Sequence, residues 1–349
     1  MDSVTGSLES ALVDLLKRFR AGQHSALGQA ISLVENERQG SQSFLHELLG
    51  VGSRSATRIG FTGPPGAGKS SLISMVGMNF RTQDKKLGVV AVDPTSQYSG
   101  GALLGDRIRM SELAADPEIF IRSMATRGSL GGLATTTREV LDLLDAFGLD
   151  RILVETVGVG QTELEITAAA DTVIVVLVPE SGDAIQAMKA GLMEIADIFV
   201  VNKADRPGSE GLIKDLRQGL ALSASTALER EPDYHNVRPH HEELNDSQTN
   251  TDWLVPVLPT VAQSGEGVAD LMDTIEAHRF WLEKSGAMEA RRRTRWEVRI
   301  RDIVDRALHQ STWSSEAVIA QVEQGLDQIQ QGKDTPYSIS RDILEQLLR

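Results

Sequence analysis

Apolar residues along this chain gather into short continuous runs separated by stretches with helical spacing. The runs are Arg58–Thr62, Gly88–Asp93, Ile119–Arg122, Ile152–Thr156, Thr172–Val178, Asp197–Asn202 and Leu254–Pro259. Several are apolar without alternation, which predicts strands covered on both faces in a parallel sheet. The helical stretches between them suit right-handed crossovers. The expected class is a doubly wound α/β domain with ligands at the carboxyl ends of its strands. Ahead of Ile59, residues Leu8 to Leu49 read as helix, with Leu12, Leu15 and Leu16, then Ala30-Ile31 and Leu33-Val34, at helical spacing. From Val268 onward the chain is mostly helical again. Trp296, Ile300, Ile303, Val304 and Leu308 predict an amphipathic helix with one buried stripe, and Ile343-Leu344 with Leu347-Leu348 repeat the pattern. The expected organisation is a helical extension over 1–52, a main domain over 53–285 and a helical arm over 286–349. The arm packs either on a partner subunit or on its own domain.

Composition narrows the chemistry. The 349 residues are 41% hydrophobic and only 4% aromatic, so aliphatic side chains carry the core. A net charge of −14 argues against nucleic acid as a partner, because phosphate backbones want a basic face. The basic run Arg291-Arg292-Arg293 with Arg295 lies beside Glu289 and Glu297 and reads as a helix surface. With no cysteine, a disulfide framework and thiolate metal sites are excluded. No run reaches the ~18 apolar residues of a membrane span, and no signal peptide is evident. A cytoplasmic protein with no membrane partner is expected.

Two motifs carry the nucleotide chemistry. Gly63-Pro64-Pro65-Gly66-Ala67-Gly68-Lys69-Ser70, followed by Ser71, fits the phosphate-loop pattern between a predicted strand and a predicted helix. In that setting backbone N–H groups cradle polyphosphate oxygens, and the helix N-terminus adds its positive dipole end. Lys69 can bridge the β- and γ-phosphates, and the Ser70 hydroxyl can ligate Mg²⁺. The chain is thus read as a P-loop NTPase. The second motif, Asn202-Lys203-Ala204-Asp205, ends the strand before it. A carboxylate at Asp205 can accept from both N1–H and the exocyclic amine of guanine, a donor pair adenine lacks. Lys203 can lay its stem along the base, and Asn202 can tie this loop to the phosphate loop. GTP and GDP are the expected nucleotides.

Three carboxylates stand where Mg²⁺ needs further oxygen ligands. Asp93 ends the second strand. Asp106 lies in the glycine-rich segment 99–106. Glu155 opens Glu155-Thr156-Val157-Gly158, in the place of the usual D-x-x-G turn. The catalytic set expected is Lys69, Asp106 and Glu155, and the metal set is Ser70, Asp93, Asp106 and Glu155. Gln161 can orient water or merely cap a turn, so no dedicated base is evident and unaided hydrolysis is expected to be slow. Polar residues 223–252, with His235, His240 and His241, have no ordered ligand spacing and read as a solvated loop.

Longer stretches carry a resemblance. They are Val92-Asp93-Pro94-Thr95-Ser96, Gly100-Gly101 with Leu104-Gly105-Asp106, the segment from Ile121 to Leu133, Glu155 through Gln161, and Glu194-Ile195-Ala196-Asp197. This sequence resembles the MeaB-type G-protein chaperones (ArgK-like, or MMAA in mammals) of adenosylcobalamin-dependent acyl-CoA mutases. The resemblance implies a SIMIBI-class GTPase, usually a homodimer through its C-terminal arm. Its implied work is to couple GTP hydrolysis to loading, protecting and reactivating a mutase. Adenosylcobalamin is expected to be handled by that mutase rather than by this chain. Methylmalonyl-CoA mutase is the default client and a sister acyl-CoA mutase an alternative. The family pattern implies that Val261-Ala262-Gln263 close the guanine pocket and that Pro179 to Lys189 form a loop answering to the mutase. Other readings left open are a nickel-delivery or other metal-delivery GTPase, a non-hydrolysing scaffold, and a kinase tied to amino-acid transport.

Overall fold

The computed structural model describes residues 2–50, 56–93, 110–125, 135–156, 165–179, 191–229 and 253–347. The chain divides into two compact units, Met1–Arg292 and Arg293–Arg349. In the first, seven strands form one sheet: β1 (Thr57–Thr62), β2 (Leu87–Asp93), β3 (Ile119–Ala125), β4 (Arg151–Glu155), β5 (Thr172–Leu177), β6 (Ile198–Asn202) and β7 (Val257–Thr260). Their order is β3-β2-β4-β1-β5-β6-β7, and every pairing is parallel. Chain order reverses at β1, with β2 to β4 on one side and β5 to β7 on the other. Such a reversal opens a ligand crevice at the carboxyl ends of the strands.

Both faces of the sheet are buried, which is why its strands read as unbroken apolar runs. One face sends Val90, Val92, Val154, Val175 and Phe199 into one core cluster. The other sends Ile59, Phe61, Val89, Ile174 and Val200 into a second. The first face is covered by α2 (His24–Glu35), α3 (Ser41–Leu49), α6 (Thr135–Ala146) and α8 (Ser209–Glu229). The second is covered by α4 (Lys69–Thr82), α5 (Ser111–Ala114) and α9 (Val268–Ser285). A short helix α7 (Leu192–Ile195) leads into β6.

The N-terminal stretch forms three helices rather than one. Gly22 and Gly40 take left-handed φ of 75° and 89°, which stops α1 (Asp2–Arg20) and opens α3. Strand β7 starts three residues later than its apolar run suggested. Pro256 has no N–H for a ladder, and Leu254 is exposed.

At the amino ends of the strands the unit is held by buried ions. Arg58 reaches Asp142 at 2.7 Å and Asp145 at 3.3 Å. Its main-chain N–H donates to Asp171 at 2.9 Å. Helix α10 (Ala287–Trp313) begins in this unit. There Arg291 grips Asp197 with two bonds of 2.7 and 2.9 Å and also donates to the Asp171 carbonyl. Arg292 donates to the Ala56 carbonyl, just before β1. His278 of α9 is buried here. Its Nδ1 lies 2.9 Å from the Thr172 hydroxyl, its Nε2 is 3.4 Å from Asp197, and Trp253 and Trp281 flank the ring.

Burial pushes the His278 imidazole down to about 4, against the opposing pull of Asp197. Desolvation wins because Asp197 already shares its charge with Arg291, so the 3.4 Å contact is not an ion pair near neutrality. Below pH 6.5 the unfolded histidine takes a proton that the folded one refuses. Stability is therefore full above pH 6.5 and falls as pH drops toward 4. At ~1.36 kcal/mol per pKa unit the complete loss is about 3 kcal/mol.

In the second unit, α11 (Glu316–Gln330) and α12 (Pro336–Leu347) pack so closely that a Cβ on Gly325 would come within 2.4 Å of Ile339. Trp296, Ile300, Ile303, Val304 and Leu308 do lie along one helix, α10, as their spacing predicts. Their stripe, however, remains largely exposed in this single chain.

Urea unfolding at pH 7 and pH 4.5 checks the histidine. His278→Gln is expected to lose the part of the pH dependence that His278 contributes. Equal pH dependence in the two proteins would refute the assignment.

Candidate functional site

The loop leaving β1 is shaped by its neighbours as much as by its own sequence. Gly63 has φ 127°, and a Cβ there would fall 2.0 Å from the Val176 carbonyl oxygen of β5. Gly68 has φ 89°, and its Cβ would fall 2.3 Å from Asn202 Nδ2. Neither position accepts a side chain. Helix α4 starts directly after Gly68 with no capping side chain. Its first-turn amides thus face the crevice with no partner inside the helix. The Lys69 ammonium is buried and donates to the carbonyls of Gly63 at 2.7 Å and Pro64 at 3.0 Å. Phosphate oxygens make stronger, charge-assisted acceptors than these carbonyls, so an arriving polyphosphate can draw the amine across. Pro65, Gly66 and Ser71 are exposed on this rim, and Ala67 is buried beneath it.

Strand β4 brings Glu155 against the same loop. Ser70 Oγ donates to Glu155 Oε1 at 2.7 Å, a contact spanning 85 positions of sequence. Both residues are buried. The ladder register explains the meeting: Glu155 pairs with Phe61, two residues before the loop begins. Asp93 ends β2, whose Ala91 pairs with Glu155 on the other side. The Asp93 side chain lies outside the described residues. So do Asp106, Val157 to Gln161, the segment 180–190 and the histidines at 235, 240 and 241. Among the described residues no group of three or more His, Asp or Glu is arranged to hold a metal ion.

The N-K-x-D segment sits at the end of β6 and is bonded into its surroundings. Asn202 Nδ2 donates to the Ala67 carbonyl at 2.8 Å. Asn202 Oδ1 accepts from the Ala262 amide at 3.1 Å and from the Thr260 hydroxyl at 3.2 Å. Lys203 takes the left-handed φ of 56° and donates to the Gly66 carbonyl at 2.9 Å. Its stem therefore bridges from the base loop to the phosphate loop. Asp205 is exposed at the mouth of the crevice. Val261 pairs with Glu266 in a short bridge that shapes the loop holding Ala262 and Gln263. The two motifs, 139 residues apart from Gly63 to Asn202, thus form one continuous surface.

Three residues in this surface escaped sequence reasoning. Thr260 braces Asn202 through its hydroxyl and Ala204 through its carbonyl. Thr62 and Thr156 meet below the loop, hydroxyl to hydroxyl, at 2.9 Å. Thr62 and Thr260 close β1 and β7 and Thr156 directly follows β4; a β-branched residue at a strand end gives no motif signal by itself.

A parallel sheet with a reversal at β1, a glycine-shaped loop feeding a helix N-terminus, and an N-K-x-D segment bonded to that loop define a P-loop GTPase. The chain belongs to the MeaB family of such enzymes. The family model described as methylmalonyl Co-A mutase-associated GTPase MeaB matches residues 27–317. A putative GTPase of Pyrococcus abyssi is 41% identical over 337 residues, covering 96% of each chain. The mitochondrial methylmalonic aciduria type A homolog of Mus musculus is 36% identical over 292 residues, 79% of this chain and 65% of that protein. The crystal structure of an LAO/AO transport system kinase superposes with a TM-score of 0.64 at 25% identity, covering 98% of this chain and 99% of that one.

We propose that Asp205 faces guanine; Asp205→Asn is then expected to replace one acceptor there with a donor. Losing one charge-assisted bond, about 1.5–3 kcal/mol, lowers GTP affinity roughly ten- to a hundredfold while favouring XTP. Calorimetry with both nucleotides reads this directly, and unaltered GTP/XTP discrimination would refute base recognition by Asp205.

Proposed function

We propose that this GTPase is a nucleotide-driven chaperone of an adenosylcobalamin-dependent acyl-CoA mutase, coupling its GTP and GDP states to cofactor loading, protection and reactivation. The observation that carries this reading is the match of residues 27–317 to a family described by its association with methylmalonyl-CoA mutase. Methylmalonyl-CoA mutase or a sister acyl-CoA mutase is the client. In this reading Gly63 to Ser71 hold the phosphates, Asn202, Lys203 and Asp205 hold guanine, and Val261 to Gln263 close over the base. Pro179 to Lys189 would answer to the mutase.

The donor set at Ser70 and Glu155 fits Mg²⁺. It offers a hydroxyl and a carboxylate, hard oxygen ligands suited to that ion, already 2.7 Å apart. Asp93 and Asp106 complete the proposed set. When bound, the ion would neutralise charge on the β- and γ-phosphate oxygens. The chain's own residues do the rest. Lys69 leaves its loop carbonyls for the phosphate oxygens and stabilises the charge that grows as the bond from the γ-phosphorus to its bridging oxygen breaks. Water supplies the new oxygen, and GDP and phosphate leave. Within the described residues no side chain stands as a general base. Turnover by the chain alone is accordingly expected below the ~1 s⁻¹ of complete phosphotransfer sites.

The proposed organisation keeps residues 1–52 as a helical extension, 53–285 as the GTPase domain and 286–349 as a dimerisation arm. What supports the arm is its uncovered apolar surface: Ile300, Leu308 and Leu344 are each more than half exposed. A second copy of this chain can bury these positions at about 25 cal/mol per Å² of apolar surface.

GTP turnover, alone and against a panel of adenosylcobalamin-dependent acyl-CoA mutases, tests the chaperone reading. A strong acceleration by one mutase is expected, and none from any of them would overturn it. Light scattering tests the arm. The chain is expected at twice its monomer mass, and Ile300→Asp with Leu308→Asp at the monomer mass. A monomeric parent would remove the dimer.

A further inference from the structure

The meeting of Thr62 and Thr156 lies where the two halves of the phosphate machinery are rooted. Thr62 is the last residue of β1 and precedes Gly63. Thr156 follows Glu155, the last residue of β4. The β1–β4 ladder ends at the pair Phe61↔Glu155, and the last main-chain bond runs from the Thr156 amide to the Phe61 carbonyl at 3.1 Å. At the next level the strands are joined by side chains: Thr156 Oγ1 donates to Thr62 Oγ1 at 2.9 Å. Both threonines are at most 1% exposed.

Packing alone does not account for two hydroxyls here. Valine has the same branched shape, and this sheet uses it freely, as at Val154 and Val175. A buried hydroxyl needs a partner to offset its lost hydration, whereas a valine pair would need none. What the hydroxyls add is direction. A hydrogen bond between two β-branched side chains fixes both χ1 angles and the separation of the strand ends. That separation sets how close the Glu155 carboxylate comes to Ser70 Oγ, now 2.7 Å.

We infer that Thr62 and Thr156 form a hydroxyl lock that positions Glu155 against Ser70 and so tunes the affinity of the site for Mg²⁺. They are positioning residues, acting through Glu155 rather than on the nucleotide. The inference rests on the assignment of Ser70 and Glu155 to the metal.

The test titrates Mg²⁺ against the release rate of a fluorescent GDP analogue, with release in EDTA as the metal-free reference. Thr156→Val is expected to raise the half-saturating Mg²⁺ concentration roughly three- to tenfold, the equilibrium factor of one net hydrogen bond. Release in EDTA should stay within about twofold of the parent. Thr156→Ser restores the hydroxyl and should restore the Mg²⁺ response. Thr62→Val should reproduce the defect. The double variant Thr62→Val/Thr156→Val leaves neither hydroxyl stranded, so it should melt no lower than either single variant yet keep the Mg²⁺ defect. A lowered melting temperature with an unchanged Mg²⁺ response would make the pair merely structural and overturn the lock. Additive Mg²⁺ defects in the double variant would also overturn it. A parent whose GDP release ignores Mg²⁺ would sink the metal assignment and the lock together, whereas an equal response in parent and variants sinks the lock alone.

Discussion

The nucleotide face depends on one buried amide. Asn202 donates to the loop after β1 through Ala67 and accepts from the loop after β7 through Ala262 and Thr260. Strands β1 and β6 are not neighbours, because β5 lies between them. Main-chain ladders connect them only through β5, and the direct tie between the loops after β1 and β6 is a side chain. Asn suits this place because its amide offers donors at one end and lone pairs at the other. Aspartate would lose the donor to Ala67, and alanine would strand three polar groups in a dry interior, at about 1–3 kcal/mol each. The requirement reaches back into the loop. Gly68 must lack a side chain because Asn202 Nδ2 occupies the space where a Cβ would sit.

The two ends of the same sheet use charge in opposite ways. At the amino ends, Asp142, Asp145, Asp171 and Asp197 are matched to Arg58, Arg291 and Arg292, mostly within short, buried contacts. Breaking such a pair by removing one partner costs about 3–5 kcal/mol, so this end favours a single arrangement. At the carboxyl ends, the Lys69 ammonium donates to main-chain carbonyls. Those acceptors are weaker than phosphate, and exchanging them for a ligand is favourable. A fixed underside and an exchangeable upper side give a rigid frame on which loop rearrangement can be directed by the nucleotide. The first helical turns of α10 are fastened to the fixed end by Arg291 and Arg292.

How much of this was legible in the sequence follows from how far apart the partners lie. The strands could be read because most of them are apolar on both faces. The glycine loop, Lys69, Ser70 and the N-K-x-D residues could be read because local spacing alone defines them. The break of the N-terminal stretch into three helices was missed, since Gly22 and Gly40 sit within an apolar rhythm that continues past them. The start of β7 was misplaced because hydrophobicity carried Leu254, while Pro256 brings no N–H to the ladder. The polar network of Asp171, Asp197, His278 and Arg291 was illegible. Its members are ordinary residues separated by up to 120 positions, joined only once the strands are laid side by side. The same holds for Thr62 and Thr156, 94 positions apart.

Glu155 shows how a departure in one residue is accommodated by geometry elsewhere. Glutamate at the end of β4 reaches one methylene farther than aspartate and has one more rotatable bond to fix. An unrestrained longer carboxylate would spread its oxygens over several positions, and rotamer freedom of this size costs up to about 1.5–2 kcal/mol to remove. Here the Ser70 hydroxyl holds the carboxylate, while the Phe61 register and the neighbouring Thr156 bond fix the backbone that carries it. The extra reach therefore does not loosen the site. It carries the carboxylate to the start of α4, where the helix N-terminus and Ser70 already favour negative charge.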